Sequence, residues 1–276
     1  MKSVYFFANL VVALFIFPYS SAWGTSGTWT ITTNTDLSEG HNGSIVIGAD
    51  NITLNCRNNV VMGSNGTGHG IAVAERIGVT IKNCVVKNFR AGFRILQSRA
   101  SFFLDNNSSD NTEEGFDVDN VHETQFTRNV ATRNHDGIDL GDSNTNLIQR
   151  NNFSINRANG IELDRSHGNT IELNITNNNG FSTNRNGISL DLSSGNFLRL
   201  NHSNFNRRNG IRLTDASNNN MLTSNVACNN GEFRLGPDIF VSGSTGNTSV
   251  NNTFCKGPMP FIPSSLPPPI LLPPGD

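Results

Sequence analysis

Single apolar residues alternate with single polar ones in short runs along this chain, and the runs return at a fixed interval. A Gly-apolar-x-apolar tetrad begins at Gly70, Gly92, Gly115, Gly137, Gly160, Gly187 and Gly210, with spacings of 22, 23, 22, 23, 27 and 23 residues. Strict alternation is the signature of a half-buried strand, and a period of this length is the signature of a solenoid. A second run follows each tetrad, as in Asn169-Thr170-Ile171-Glu172-Leu173-Asn174. A third follows at Val130, Phe153, Ile175 and Val226.

Two solenoids share the period, the leucine-rich repeat and the parallel β-helix, and the return path separates them. Here the linkers are Asn, Ser, Gly and Asp, which form helices poorly and turns readily. The prediction is an all-β fold with three short strands per coil, wound as a right-handed parallel β-helix of about eight 22–23-residue coils. The 43 asparagines suit turns that need left-handed backbone angles and amide ladders that climb the stack.

The ends of the chain read differently. Residues 1–22 carry one Lys, an apolar run from Val4 to Phe17 and Ser20-Ser21-Ala22, the pattern of a secretory signal peptide. The run is short for a membrane span and no basic cluster follows it, so a secreted or periplasmic protein without a membrane span is expected. Residues 23–257 form the β-helix domain, and residues 258–276, with eight prolines, form a tail that cannot join a sheet. Export makes Cys56, Cys84, Cys228 and Cys255 disulfide partners. Of three pairings, Cys56–Cys84 and Cys228–Cys255 are favoured because each spans about one repeat.

Only 15% of residues are charged and the net charge is -2, so there is no field to hold nucleic acid. The ten Asn-x-Ser/Thr sequons match a glycoprotein but exceed chance only slightly in so Asn-rich a chain. A monomer is expected.

Alternation turns the second residue after each tetrad glycine outward, and that column reads Ala72, Arg94, Asp117, Asp139, Glu162, Ser189, Arg212. The column four past the glycine reads Leu96, Asp119, Gly141, Asp164, Asp191, Thr214. Glu113-Glu114 and His135-Asp136 lie just before two of the glycines. Asp117, Asp139 and Glu162 would stack about 4.8 Å apart, close enough that their repulsion calls for a counter-charge. Ca²⁺ is the cation with the matching oxygen preference, with Asp117, Asp139 and Glu162 as its ligands. Arg94 and Arg212 flank the acids and suit bidentate contacts to an acidic sugar.

A reaction without a metal is also open. Asp117 with Asp139, or Asp117 with Glu162, matches the spacing of a retaining or an inverting glycosidase pair, and His135 is a candidate general base. Asp164, Asp191 and Phe181 are candidate substrate-binding residues, Phe181 at the tip of the insertion in the 27-residue unit. The only tyrosines, Tyr5 and Tyr19, precede residue 23, which excludes Tyr-dependent chemistry in the mature chain. Outside residues 1–22 the lysines are Lys82, Lys87 and Lys256, so a base in the acidic coils is Arg or His. Gly68-His69-Gly70 reads as turn residues, and the isolated His41, His122, His167 and His202 read as surface or turn positions.

The tetrads, with Asn51-Ile52-Thr53-Leu54-Asn55-Cys56, Gly68-His69-Gly70-Ile71 and Val79-Thr80-Ile81-Lys82-Asn83-Cys84, resemble the repeats of the NosD-like accessory proteins of nitrous-oxide reductase. Similar repeats occur in pectate lyases and mannuronan epimerases. The resemblance covers about residues 45–255 and implies architecture more than activity, since core and turn residues carry it. In the pectate-lyase type, it implies, acids on one face hold Ca²⁺, the ion acidifies the α-proton of a bound uronate, and an Arg or Lys removes it. His135-Asp136 lacks the preceding Asp-Pro of the epimerase signature, and Met62, Met221 and Met259 stand too far apart to suggest copper. The leading expectation is a secreted protein that binds, and as an enzyme cleaves, an acidic polysaccharide. The rival is a non-enzymatic NosD-like surface or accessory protein used in binding or adhesion.

Overall fold

The computed structural model describes residues 23–182, 185–231 and 237–255. The signal peptide expected over 1–22 and the proline-rich tail expected over 258–276 lie outside the described residues. Every pairing between strands is parallel, each strand adding to the one a coil before it, and no described residue is helical. The chain winds as a right-handed β-solenoid.

Three sheets run up the stack. Sheet 1 carries the tetrads and has ten strands, from Trp29–Ile31 to Ile239–Val241; sheet 2 also has ten, from Thr35–Asp36 to Thr248–Val250. That is about nine turns rather than eight. The extra rungs at Trp29–Ile31, Ile45–Ile47 and Ile239–Val241 lack the tetrad glycine and so escape a count of glycines. Sheet 3 has five strands, from Trp23–Ser26 to Asn107–Ser108. It then thins to single bridges through Val130, Asn152, Ile175 and His202, ending in the pair Val226–Ala227 and Thr253–Phe254.

Inward residues form continuous columns, because parallel in-register rungs place like side chains over like. Ile138, Ile161, Ile188 and Ile211 stack in sheet 1, all fully buried. Phe93 lies over Phe116 at 4.6 Å between ring centroids, and Phe103 over Phe126 at 5.0 Å, within the range of favourable offset stacking.

The asparagines do two jobs that fall on different residues. Asn106, Asn129, Asn151, Asn174, Asn201, Asn225 and Asn252 form one ladder, with Asn146, Asn169, Asn196, Asn220 and Asn247 in a second. Each side-chain oxygen accepts the backbone N–H of the equivalent residue one coil earlier. The side-chain NH₂ donates to a main-chain carbonyl, as Asn174 does to Ile148 at 2.8 Å. The left-handed angle belongs instead to the residue before each amide of the first ladder, including Arg150, Leu173 and Leu200 at φ 55°, 56° and 55°.

The tetrad glycines are needed for space. A Cβ on Gly137 would lie 2.4 Å from Gly160 O and 2.7 Å from Phe153 Cβ. Both disulfides form as paired by period, Cys56–Cys84 and Cys228–Cys255, with Cα–Cα distances of 4.7 and 4.8 Å, one coil apart.

Candidate functional site

Sheet 1 brings the outward residues into line. Arg94 pairs in register with Asp117, Asp117 with Asp139, Asp139 with Glu162, Glu162 with Ser189 and Ser189 with Arg212. Beside this column, at the turn into the sheet, a second runs through Arg90, Glu113, His135 and Ala158, each backbone N–H donating to the carbonyl of the residue a coil earlier. Glu114 and Asp136 sit between the two columns, next to the glycines.

The acids differ in what holds them. Arg94 donates to Asp117 and, at 3.4 Å, to Asp119. Glu162 accepts from Asn159 Nδ2 at 2.8 Å. Asp136 is almost wholly buried; its Oδ1 accepts the Asn159 backbone N–H at 2.5 Å and its Oδ2 lies 2.6 Å from His135 Nδ1. Equivalent positions one and two coils on hold Asn159 and Asn186, which continue as an amide ladder, so Asp136 is an acid in an amide's place. That substitution is the sequence signal that marks it as a site residue.

Asp139, between Asp117 and Glu162, has no arginine of its own. Burial, then Glu162, Asp136, Glu114 and Asp117, push its carboxyl up to about 8. Burial does the same to Glu114, up to about 7, and raises Asp117 and Glu162, opposed by Arg94 and by the Asn159 hydrogen bond respectively. Asp136 raises the imidazole of His135 through their hydrogen bond. The patch therefore sets a carboxyl pushed up by burial beside an imidazole pushed up by its hydrogen bond to Asp136, two groups that can exchange protons in one place.

A cleft of about 430 Å³ adjoins the acids, lined by His69, Arg90, Arg94, Glu114 and Asp117. His69 is not a turn residue: it opens the strand His69–Ala74 and pairs with Ala91. Burial lowers its imidazole, and its Nδ1 is shut from solvent without a hydrogen-bond partner.

The remaining candidates lie along the same sheet or at its rim. Asp164 bonds Arg165 at 2.5 Å, and Arg165 also reaches Asp142. Asp191 stands in register with Asp164, and its Oδ1 is buried and unpartnered. Phe181 is 48% exposed, and Arg207 donates to its carbonyl. Residues 183 and 184 of that insertion lie outside the described residues.

Among the described residues, the acids and imidazoles that come within reach of a single ion are Glu114, His135 and Asp136, whose ligand atoms lie within 4.8 Å of one another. The stacked Asp117, Asp139 and Glu162 form no such group.

The family described as periplasmic copper-binding protein (NosD) matches residues 18–180, and the family described as right handed beta helix region matches residues 134–258. Solved structures of similar fold include the periplasmic alginate epimerase AlgG, at TM-score 0.61 and 14% identity over 83% of this chain and 68% of that one. DFA-IIIase from Arthrobacter chlorophenolicus A6 gives 0.60 and 14% over 88% and 70%. The A-module of Azotobacter vinelandii mannuronan C-5 epimerase AlgE4 gives 0.55 and 15% over 87% and 90%. At these identities the likeness is one of fold. No curated protein matches the chain.

Copper does not fit the donors present. Cu(I) takes thiolates and thioethers, and Cu(II) favours imidazole-rich sets. All four cysteines are in disulfides, and among the described residues the convergent group of Glu114, His135 and Asp136 offers a single imidazole with two carboxylates. The disulfides are compatible with the periplasm that the family's description names. Continuous rungs of one repeat, with a family match over more than half its length, show that the chain belongs to the NosD family of right-handed β-helix proteins.

Proposed function

We propose that the protein binds an acidic polysaccharide along sheet 1 and cleaves it by β-elimination at the central coils. The observation that carries this reading is the stacking of Asp139 between Asp117 and Glu162 beside the bonded His135–Asp136 pair, where burial and the neighbouring acids push its carboxyl up to about 8. Protonated Asp139 and neutral His135 then coexist as pH rises through the raised His135 value toward about 8, as bond cleavage with proton transfer at both ends requires.

Each group has a role. The cleft guanidinium groups of Arg90 and Arg94 take the carboxylate of a uronate. His135, oriented through Nδ1 by Asp136, removes the proton on the carbon next to that carboxylate with Nε2 in its neutral form, which the ring takes up as pH rises through its raised value. The electron pair forms a ring C=C bond as the glycosidic C–O bond breaks, and Asp139 gives its proton to the departing oxygen. One proton is taken and one given, so no water is consumed. That two of the solved β-helices of similar fold are named as alginate and mannuronan epimerases supports a uronate polymer as the substrate class.

A hydrolytic reading has its own support in the direct register of Asp117 with Asp139, the closeness a retaining pair needs. Incubation with polygalacturonate and with alginate decides between them. Ultraviolet absorbance from unsaturated ends is the expected result, whereas new reducing ends without absorbance replace elimination by hydrolysis. Binding without either product reduces the protein to a carbohydrate-binding accessory. Equal rates in Ca²⁺ and in a chelator are expected of proton sharing; a rate that needs Ca²⁺ would assign charge neutralisation to the ion instead.

A further inference from the structure

We propose a second, anion-binding subsite on sheet 1, formed by Arg185, Arg208 and Arg212, which holds a carboxylate or sulfate group of the same glycan chain downstream of the reacting unit; the glycan part rests on the function proposed above. Both outward columns begin and end on arginine. One runs Arg94, Asp117, Asp139, Glu162, Ser189, Arg212. The other runs Arg90, Glu113, His135, Ala158 and resumes at Arg185, whose carbonyl accepts the Arg208 N–H. Cationic rungs therefore stand on both sides of the acids.

Seven of the described arginines are neutralised by an acid, while others, such as Arg76, which donates to the carbonyls of Ile47 and Glu75, are not. Arg57, Arg90, Arg94, Arg128, Arg133, Arg165 and Arg199 each close an ion pair with an Asp or Glu. Among the described residues Arg185, Arg208 and Arg212 close none. Arg212 Nε is shut from solvent and has no hydrogen-bond partner, a state that is costly for a charged donor. Asp191 and Asp215 attract it without coming within ion-pair distance, and burial with Asp215 alongside pushes the Asp191 carboxyl up toward its neutral form. Burial and then Arg208 lower the Arg212 guanidinium. An anion between the three would supply the missing acceptor and offset their mutual repulsion.

The spacing sets what can bind. Arg212 is three rungs beyond Asp139 and Arg94 two rungs before it, so at about 4.8 Å per rung the cationic ends are about 24 Å apart. Only an oligomer reaches both. A short acidic oligosaccharide seated at the cleft leaves the Arg185–Arg208–Arg212 rungs empty.

Two measurements on the full chain test the subsite. Calorimetry with a trimer and a heptamer of galacturonate should give at least about tenfold tighter binding of the heptamer, from charge-assisted bonds made only by the longer ligand. R185Q/R208Q, at two exposed positions, should erase that difference and leave trimer affinity and thermal stability as in the parent; R128Q, on a separate ion pair, should change nothing. Independently, inorganic sulfate should move the Arg212 Nε–H resonance in the parent and not in R185Q/R208Q. A heptamer advantage that survives in R185Q/R208Q, or an Arg212 resonance unmoved by sulfate, overturns the subsite. If sulfate moves the resonance and neither oligomer binds, the subsite stands and the polysaccharide reading falls.

Discussion

His135 Nδ1 and Asp136 Oδ2 lie 2.6 Å apart, with the second Asp136 oxygen tied to the Asn159 backbone. The bond orients the ring through Nδ1 and leaves Nε2 outside it. Asp136→Asn keeps the shape and removes the charge. The imidazole, raised in the parent by this bond, should then titrate at a lower pH, read from its ring-proton shifts. Because the folded value is above the unfolded one, the pair stabilises the protein fully below the ordinary histidine range, and that contribution is lost as pH rises through the raised folded value. The parent should therefore lose more stability than the variant across that window. An unchanged His135 titration in the variant would separate the two residues.

Asp139 carries the opposite kind of linkage. A carboxyl raised from 3.8 to about 8 keeps its proton in the folded state while the unfolded chain loses it, so between those values stability falls as pH rises. Asp139→Asn removes this slope and should be more stable than the parent at neutral pH, while eliminating activity falls by about 10²–10⁴-fold. In the parent, activity should decline above about pH 8 as Asp139 ionises. Chemical denaturation at several pH values and a pH–rate profile check both.

Gly137, which opens a tetrad, and Gly141, which ends the strand Ile138–Gly141, should respond differently to a methyl group. Gly137→Ala drives a Cβ to within 2.4 Å of Gly160 O and should cost about 1–3 kcal/mol. At Gly141 the nearest atom is Asp119 Oδ1 at 3.6 Å, so Gly141→Ala should be nearly neutral. Equal losses in urea unfolding would contradict the packing account.

Leu200 and Asn201 are neighbours with opposite tasks. Leu200 is 45% exposed at φ 55°, and Leu200→Asn should stabilise by about 1 kcal/mol, since asparagine tolerates the left-handed region. Asn201 is fully buried and donates to Ile171 O at 2.8 Å, so Asn201→Ala strands buried polar groups and should cost about 1–3 kcal/mol. Thermal shifts of opposite sign are the expected readout.

The architecture was legible because a solenoid repeats one local problem. Each coil must bury its alternate residues on the coil before it, so the period of glycines, the alternation and the pairing Cys56–Cys84 all register in one dimension. The stacking of Asp117, Asp139 and Glu162 followed from the same periodicity. The two asparagine roles were not separated in this way, since which of two adjacent residues turns its amide inward depends on the corner's backbone angles.

The order of residues alone determined the rung count within about one coil, the outward columns and their signs. Only the folded chain decided that His69 joins the cleft, that Asp136 faces His135, and that burial raises the Asp139 carboxyl while Arg212 Nε lacks an acceptor. Periodicity specifies which side chains are neighbours, but charge state depends on how much water the neighbours displace and where their dipoles point. Those are properties of packing in three dimensions.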